Sequence, residues 1–139
     1  MRFRDTSALI PLMIEEAESG RMRLLLAEDR AIAIAAITPL EIASVLWRRR
    51  HAGLLHLDEH HEADAMFAEL SARWNEVTPT TLILRKALDV VTRHPLRTLD
   101  AIQLAAAIVL SDEPACMTMV TLDKNLADAA RAEGFEVLP

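Results

Sequence analysis

The chain has 139 residues, 15 Lys+Arg against 21 Asp+Glu, and a formal net charge of −6. That length suits one domain over 1–139, large enough to fold without a disulfide or metal staple. With 52% apolar residues it is no disordered chain, and no apolar run approaches the ~18 residues of a membrane-spanning helix.

Arg2-Phe3-Arg4 is a short, polar strand candidate, ended by Asp5-Thr6-Ser7. These three residue types cap helices, and Leu9, Leu12, Met13 and Ala17 follow at helical spacing, with Pro11 within the first two turns. A second helix starts after Ser19-Gly20 and runs to about Asp29. Residues 31–37 are apolar at every position, the pattern of a strand covered on both faces in a parallel sheet. Thr38-Pro39-Leu40-Glu41 then predicts a helix with Thr38 as N-cap, Pro39 at N1 and Glu41 at N3, running to Gly53. Further helices are expected over 58–72, 80–94, 98–110 and 124–133, and strands over 74–78, 117–122 and 135–138. Alternating strands and helices predict an α/β fold with a mostly parallel sheet.

In such sheets ligands bind beyond the carboxyl ends of the strands. Asp5 follows the first strand, Glu41 lies in the first turn after the second, and Asp123 follows 117–122. Asp100 opens a helix among Leu99, Ala101, Ile102 and Leu104, so its carboxylate needs a partner. Each acid taken singly is also an ordinary helix start, favoured by the helix dipole. Together they are a candidate for one crevice, where a hard cation such as Mg²⁺ or Mn²⁺ would offset their repulsion. A metal held by acids activates water and clamps a phosphodiester oxygen, as metal-dependent phosphodiester hydrolysis requires.

Asp5-Thr6-Ser7-Ala8-Leu9, Thr38-Pro39-Leu40-Glu41, Leu99-Asp100-Ala101-Ile102-Gln103-Leu104-Ala105-Ala106-Ala107 and Val120-Thr121-Leu122-Asp123-Lys124-Asn125-Leu126 resemble, in order, the four acidic motifs of PIN domains. More narrowly, they resemble the VapC-type ribonuclease toxins of toxin–antitoxin pairs. The resemblance implies an α/β/α sandwich on a sheet of four or five strands, with Mg²⁺- or Mn²⁺-dependent endoribonuclease activity. It also implies homodimers, a cognate antitoxin protein as partner and RNA as substrate. By motif, Asp5 and Asp100 are the principal metal ligands, and Glu41 and Asp123 complete the pocket directly or through water. Thr6, Ser7 and Thr121 match the family's hydroxyl residues beside the pocket. Arg97 stands where the family often carries a basic residue, giving a phosphate contact. One departure is visible: the first strand is usually apolar in this family, whereas here it is Met1-Arg2-Phe3-Arg4.

His56, His60 and His61 with Asp58, Glu59, Glu62 and Asp64 include i,i+4 spacings that could bind zinc, or form a solvated helix face. Trp47-Arg48-Arg49-Arg50-His51 is a basic end to the helix from Glu41. There Arg48 and Arg49 either complement the helix dipole or guide RNA phosphates and an acidic antitoxin segment. The lone Cys116 allows no internal disulfide, fits a cytoplasmic location and is expected to be a buried small hydrophobe. The charged start Met1-Arg2-Phe3-Arg4-Asp5 argues against a secretory signal.

Two rival functions are a phosphatase of the haloacid dehalogenase type and a degenerate PIN domain that binds RNA or a partner without catalysis. The first needs an Asp two residues after Asp5, where Ser7 stands; the presence of all four acids speaks against the second. On net charge alone, nucleic acid is a poor partner for this chain. Net charge is a whole-chain average, however, and up to four acids belong to one pocket ringed by Arg2, Arg4, Arg48, Arg49, Arg50 and Arg97. Three Phe, two Trp and no Tyr leave little for stacking bases, so metal-dependent engagement of RNA is expected over a stacking grip.

Overall fold

The computed structural model describes residues 1–111 and 113–139, and every expected strand and helix is present. In chain order these are β1 (Arg2–Arg4), α1 (Thr6–Met13), α2 (Ser19–Glu28), β2 (Ile32–Ala35), α3 (Thr38–His51), α4 (Leu57–Ser71) and β3 (Asn75–Val77). There follow α5 (Thr81–Arg93), α6 (Thr98–Leu110), β4 (Thr118–Val120), α7 (Lys124–Ala132) and β5 (Glu136–Leu138). The strands pair in parallel in the order β3-β2-β1-β4-β5. The chain builds outward from β1 on one side, then crosses to the other, so a topological switch point lies between β1 and β4. That is where an open parallel sheet leaves a crevice at its carboxyl ends.

Side-chain alternation assigns the two faces. Phe3, Ala33, Ala35 and Met119 join one apolar layer with α5, α6 and α7, while Ile32, Ile34 and Val120 join the other with α1, α2, α3 and α4. A sheet covered on both faces explains the unbroken apolar run of β2, whose four residues are all buried.

The polar first strand has a specific solution. Phe3 is fully buried toward one layer, and Arg2 and Arg4 turn to the other face. Arg2 Nη1 and Arg4 Nη2 each donate to the carbonyl of Leu25, both at 3.0 Å, in the last turn of α2. Two cations thus serve the exposed carbonyl end of a helix. Arg2 also pairs with Glu28, but Arg4 is wholly buried and its Nε and Nη1 have no partner. Burial, with Arg2 adding repulsion and Asp29 opposing it, lowers the Arg4 pKa to about 10. Neither arginine therefore offers free positive charge to a ligand, contrary to the expectation from sequence.

Three local expectations are corrected. The first helix stops at Met13 and does not reach Ala17. The buried Ser19 hydroxyl accepts from Glu16 N and donates to the Ile14 carbonyl, organising a turn in competition with the helix. Thr38 is not the N-cap of α3: Ile37 takes that place with helical backbone angles, and the Thr38 hydroxyl bonds Gln103 instead. Cys116 is exposed, because it ends a surface 3-10 turn over Pro114–Cys116 and is not part of a strand.

Replacing Arg4 removes a buried charge with two idle donors, while Arg2 keeps serving the Leu25 carbonyl. Arg4→Met should therefore stabilise the fold by about 1 kcal/mol, a few degrees in Tm at pH 7. Thermal melts followed by circular dichroism check this; a lower Tm would show that the single Arg4 bond outweighs the desolvation.

Candidate acidic active site

Asp5 is the first residue past β1 and the N-cap of α1, with extended backbone angles. Its Oδ2 accepts from Ser7 N at 3.1 Å and its Oδ1 from Ser7 Oγ at 2.9 Å. The Ser7 hydroxyl oxygen also accepts from Leu122 N at 2.8 Å and lies 3.4 Å from Thr121 Oγ1. Thr121 Oγ1 in turn accepts from Asp123 N at 3.0 Å, and Asp123 Oδ1 caps α7 through Leu126 N at 2.8 Å. Two hydroxyls thus stitch the turn after β1 to the turn after β4 across the switch point. Asp5 and Asp123 are helix caps and site acids at once, because helices that follow the strands start at the crevice.

The other half of the site is a half-buried polar knot. Glu41 Oε2 accepts from Thr6 Oγ1 and from Gln103 Nε2, each at 2.6 Å. Gln103 Nε2 also lies 3.0 Å from Thr38 Oγ1 and 3.4 Å from Thr6 Oγ1. Asp100 lies three residues before Gln103, on the same face in the first turn of α6.

Gln103 is the residue that motif reasoning missed. It is 2% exposed amid an otherwise apolar helix face, and a buried amide needs partners. Like Asp100, it is a polar group set among residues that favour burial, and that signal was present in the sequence.

The acids are close enough to feel one another's charge. Burial pushes the Asp5 pKa up to about 6, against the opposing bonds from Ser7 and Thr121, and the Glu41 charge adds to the rise. The Asp100 pKa is raised by burial first, then by Asp123 and Glu41, with Arg97 opposing. Each of the two is held above the usual carboxylate range in part by its neighbours. The donor set is all oxygen and suits a hard divalent cation. Among the described residues no three His, Cys, Asp or Glu side chains form a group that could grip a metal by themselves. One or two direct carboxylates with water in the remaining positions is the arrangement Mg²⁺ commonly accepts.

The basic candidates separate. Arg48 lines a groove of about 430 Å³ that contains Thr6 and Glu41, and Arg97 is the exposed N-cap residue of α6. Arg49 bonds Glu16 at 2.5 Å and is engaged elsewhere. Among the described residues the histidine cluster does not assemble into a metal group. His56 is the N-cap residue of α4, while His60 is buried against Trp47, ring centroids 4.7 Å apart, and 3.7 Å from Asp64.

Residues 3–132 match the family model of the PIN domain. No curated protein sequence gives a significant match. Among solved structures, the Mycobacterium tuberculosis toxin VapC20, described as cleaving the sarcin–ricin loop, superposes with a TM-score of 0.70 at 22% identity, covering 100% of both chains. A toxin–antitoxin complex from Klebsiella pneumoniae gives 0.69 at 20% identity, covering 100% of this chain and 97% of that one. PAE2754 from Pyrobaculum aerophilum gives 0.66 at 20%, covering 98% and 89%. These likenesses show a shared fold.

The raised Asp5 pKa has a sign. Below pH 4 the carboxyl is protonated folded and unfolded, so it carries no penalty; above pH 6 it is charged in both, and the buried charge costs up to about 3 kcal/mol. In metal-free buffer Asp5→Asn, which keeps the cap, should melt several degrees above wild type at pH 7.5 and close to it at pH 3.5. Equal melting at both pH values would show that the buried charge is fully compensated.

Proposed function

The chain belongs to the PIN domain family, and from that premise we propose that it is a divalent-metal-dependent endoribonuclease, the toxin of a toxin–antitoxin pair. What supports the reading is the hydrogen-bonded linkage of Asp5 to the turn of Asp123 through Ser7 and Thr121, with Glu41 held by Thr6 and Gln103 beside it, and with Asp100 raised by the charges of Asp123 and Glu41. The fold shared with VapC20 and with a toxin–antitoxin complex supports the toxin assignment.

Asp5 and Asp100 would hold Mg²⁺ or Mn²⁺, with Glu41 and Asp123 reaching it directly or through water. When bound, such an ion acts as a Lewis acid, lowering the pKa of water and neutralising phosphodiester charge. The chain's own residues do the positioning. Ser7 fixes both oxygens of Asp5, whereas Glu41 and Asp123 each keep one oxygen clear of the bonds that anchor the other. That free oxygen of Glu41 or Asp123 takes the proton of the attacking water, which is aligned for in-line displacement. Arg48 and Arg97 contact the RNA backbone.

We assign the partners on the same footing: RNA as substrate, an antitoxin protein as inhibitor, and a second copy of the chain in a homodimer. No helix among the described residues is long and apolar enough to cross a membrane, and the proposed site of action is the cytoplasm.

Purified protein should cut RNA in Mg²⁺ or Mn²⁺ and stop in excess EDTA. Asp5→Asn and Asp100→Asn should each lower cleavage at least ~100-fold, a loss of ~2.7 kcal/mol in transition-state stabilisation, with native far-UV dichroism. Full activity in EDTA would sink the metal mechanism, and tight RNA binding without cleavage in Mn²⁺ would favour a binding module. Expression should arrest growth, with relief by the co-expressed antitoxin.

Gln103→Leu takes one of two donors from the half-buried Glu41 oxygen, which should cost about 1 kcal/mol of stability. Cleavage should fall about tenfold at temperatures where the variant is fully folded. Unchanged cleavage by a folded variant would show that Glu41 needs no such hold.

A further inference from the structure

Two grooves of different character border the acidic centre, one reaching Glu41 and the other Asp123. The groove at Glu41 is largely apolar, walled by Leu40, Val45 and Leu99, with Arg48 as its one cation among the described residues. The groove at Thr121 and Asp123, about 360 Å³, carries three cations, Arg21 of α2 with Lys124 and Arg131 of α7, beside the acids Glu18 and Asp123. Lys124 and Arg131 stand at i and i+7, two turns apart on one face of the helix, with Ala127 between them lining the floor. Arg21 and Lys124 form no salt bridge among the described residues, and Arg131 has only an exposed pair with Asp128 at 3.3 Å, which binds it weakly. Besides Asp123 of the acidic centre, Glu18 is the one acidic side chain among the described residues that line this groove, and Pro139 lines it too. Arg2, Arg23, Arg49, Arg73 and Arg93, by contrast, are each bonded to a glutamate.

We propose that the groove of Arg21, Lys124 and Arg131 binds the RNA phosphates adjacent to the scissile one. The inference rests on reading the acidic centre as the place of RNA hydrolysis. A strand whose scissile phosphate lies at the four acids must lay its neighbouring phosphates along one of the two openings. Of the two, this one offers several cations without strong internal partners. In a chain of net charge −6 such a local patch decides where a polyanion settles.

The test measures binding apart from cleavage. In the Asp100→Asn background without divalent ions, a labelled mixed-sequence single-stranded RNA of about twelve nucleotides is titrated by fluorescence anisotropy across a KCl series. Arg21→Ala, Lys124→Ala and Arg131→Ala should each weaken binding about three- to tenfold. The triple variant should flatten the slope of log K against log[KCl] by about 0.7 for each phosphate no longer neutralised. Arg85→Ala on α5 should change neither. An unchanged slope in the triple variant overturns the proposal, as does a slope that responds only to Arg48→Ala. Loss of poly-glutamate binding with RNA binding intact also overturns it, assigning the groove to an acidic protein segment. Wild type that binds RNA through these residues but never cuts it would overturn the nuclease reading and leave the groove assignment standing.

Discussion

Like charge gathered at one end of a parallel sheet is the constraint around which the rest of this molecule is arranged. Bringing carboxylates together in a half-buried crevice is unfavourable, at roughly 4 kcal/mol for two charges about 4 Å apart in an effective dielectric near 20. Such a cluster persists only if neighbouring groups stabilise the ionised oxygens. The Ser7 hydroxyl and amide do so for Asp5, the Thr6 hydroxyl and Gln103 amide for Glu41, and the Leu126 amide for Asp123. Asp5 and Asp100 still stay above the usual carboxylate range, so the compensation is incomplete. In the proposed function, a divalent cation would offset that remaining negative charge.

The same economy appears at the opposite sign beneath β1. Arg2 and Arg4 lie under the end of α2 and share one carbonyl, and Arg4 keeps two donors unused. A polar strand is thereby tolerated at the centre of the sheet, where an apolar one would be the simpler choice. The effect is to fasten α2 to the strand that leads into Asp5, and α2 carries Arg21 on the groove shared with Lys124 and Arg131.

Much of this was legible in the sequence because the signals were local. Period and composition marked each strand and helix, and the acid-bearing motifs fell at strand ends, where an α/β fold puts its crevice. The misreadings came where a side chain is used by a distant part of the chain. Thr38 has the sequence context of a helix cap but is drawn to Gln103, 65 positions away. Arg49 is paired with Glu16, and Arg4 looked like a surface cation but is buried whole. Gln103 carried a signal, a polar residue on an apolar face, yet its partners are fixed only when α1, α3 and α6 meet. The chemistry of the motifs could be read from spacing; the network that holds them is tertiary.

The double use of Asp5 and Asp123 as helix caps reaches into how the centre comes into being. Each carboxylate takes its orientation from the first turn of the helix it starts, so it is set when that turn forms. The centre therefore needs no separate ordering step after the helices dock on the sheet. Those opening turns are themselves packed in the apolar layers, through Ala8 and Leu9 on α1 and Leu126 on α7, so the orientation of the two acids is as durable as the core around them.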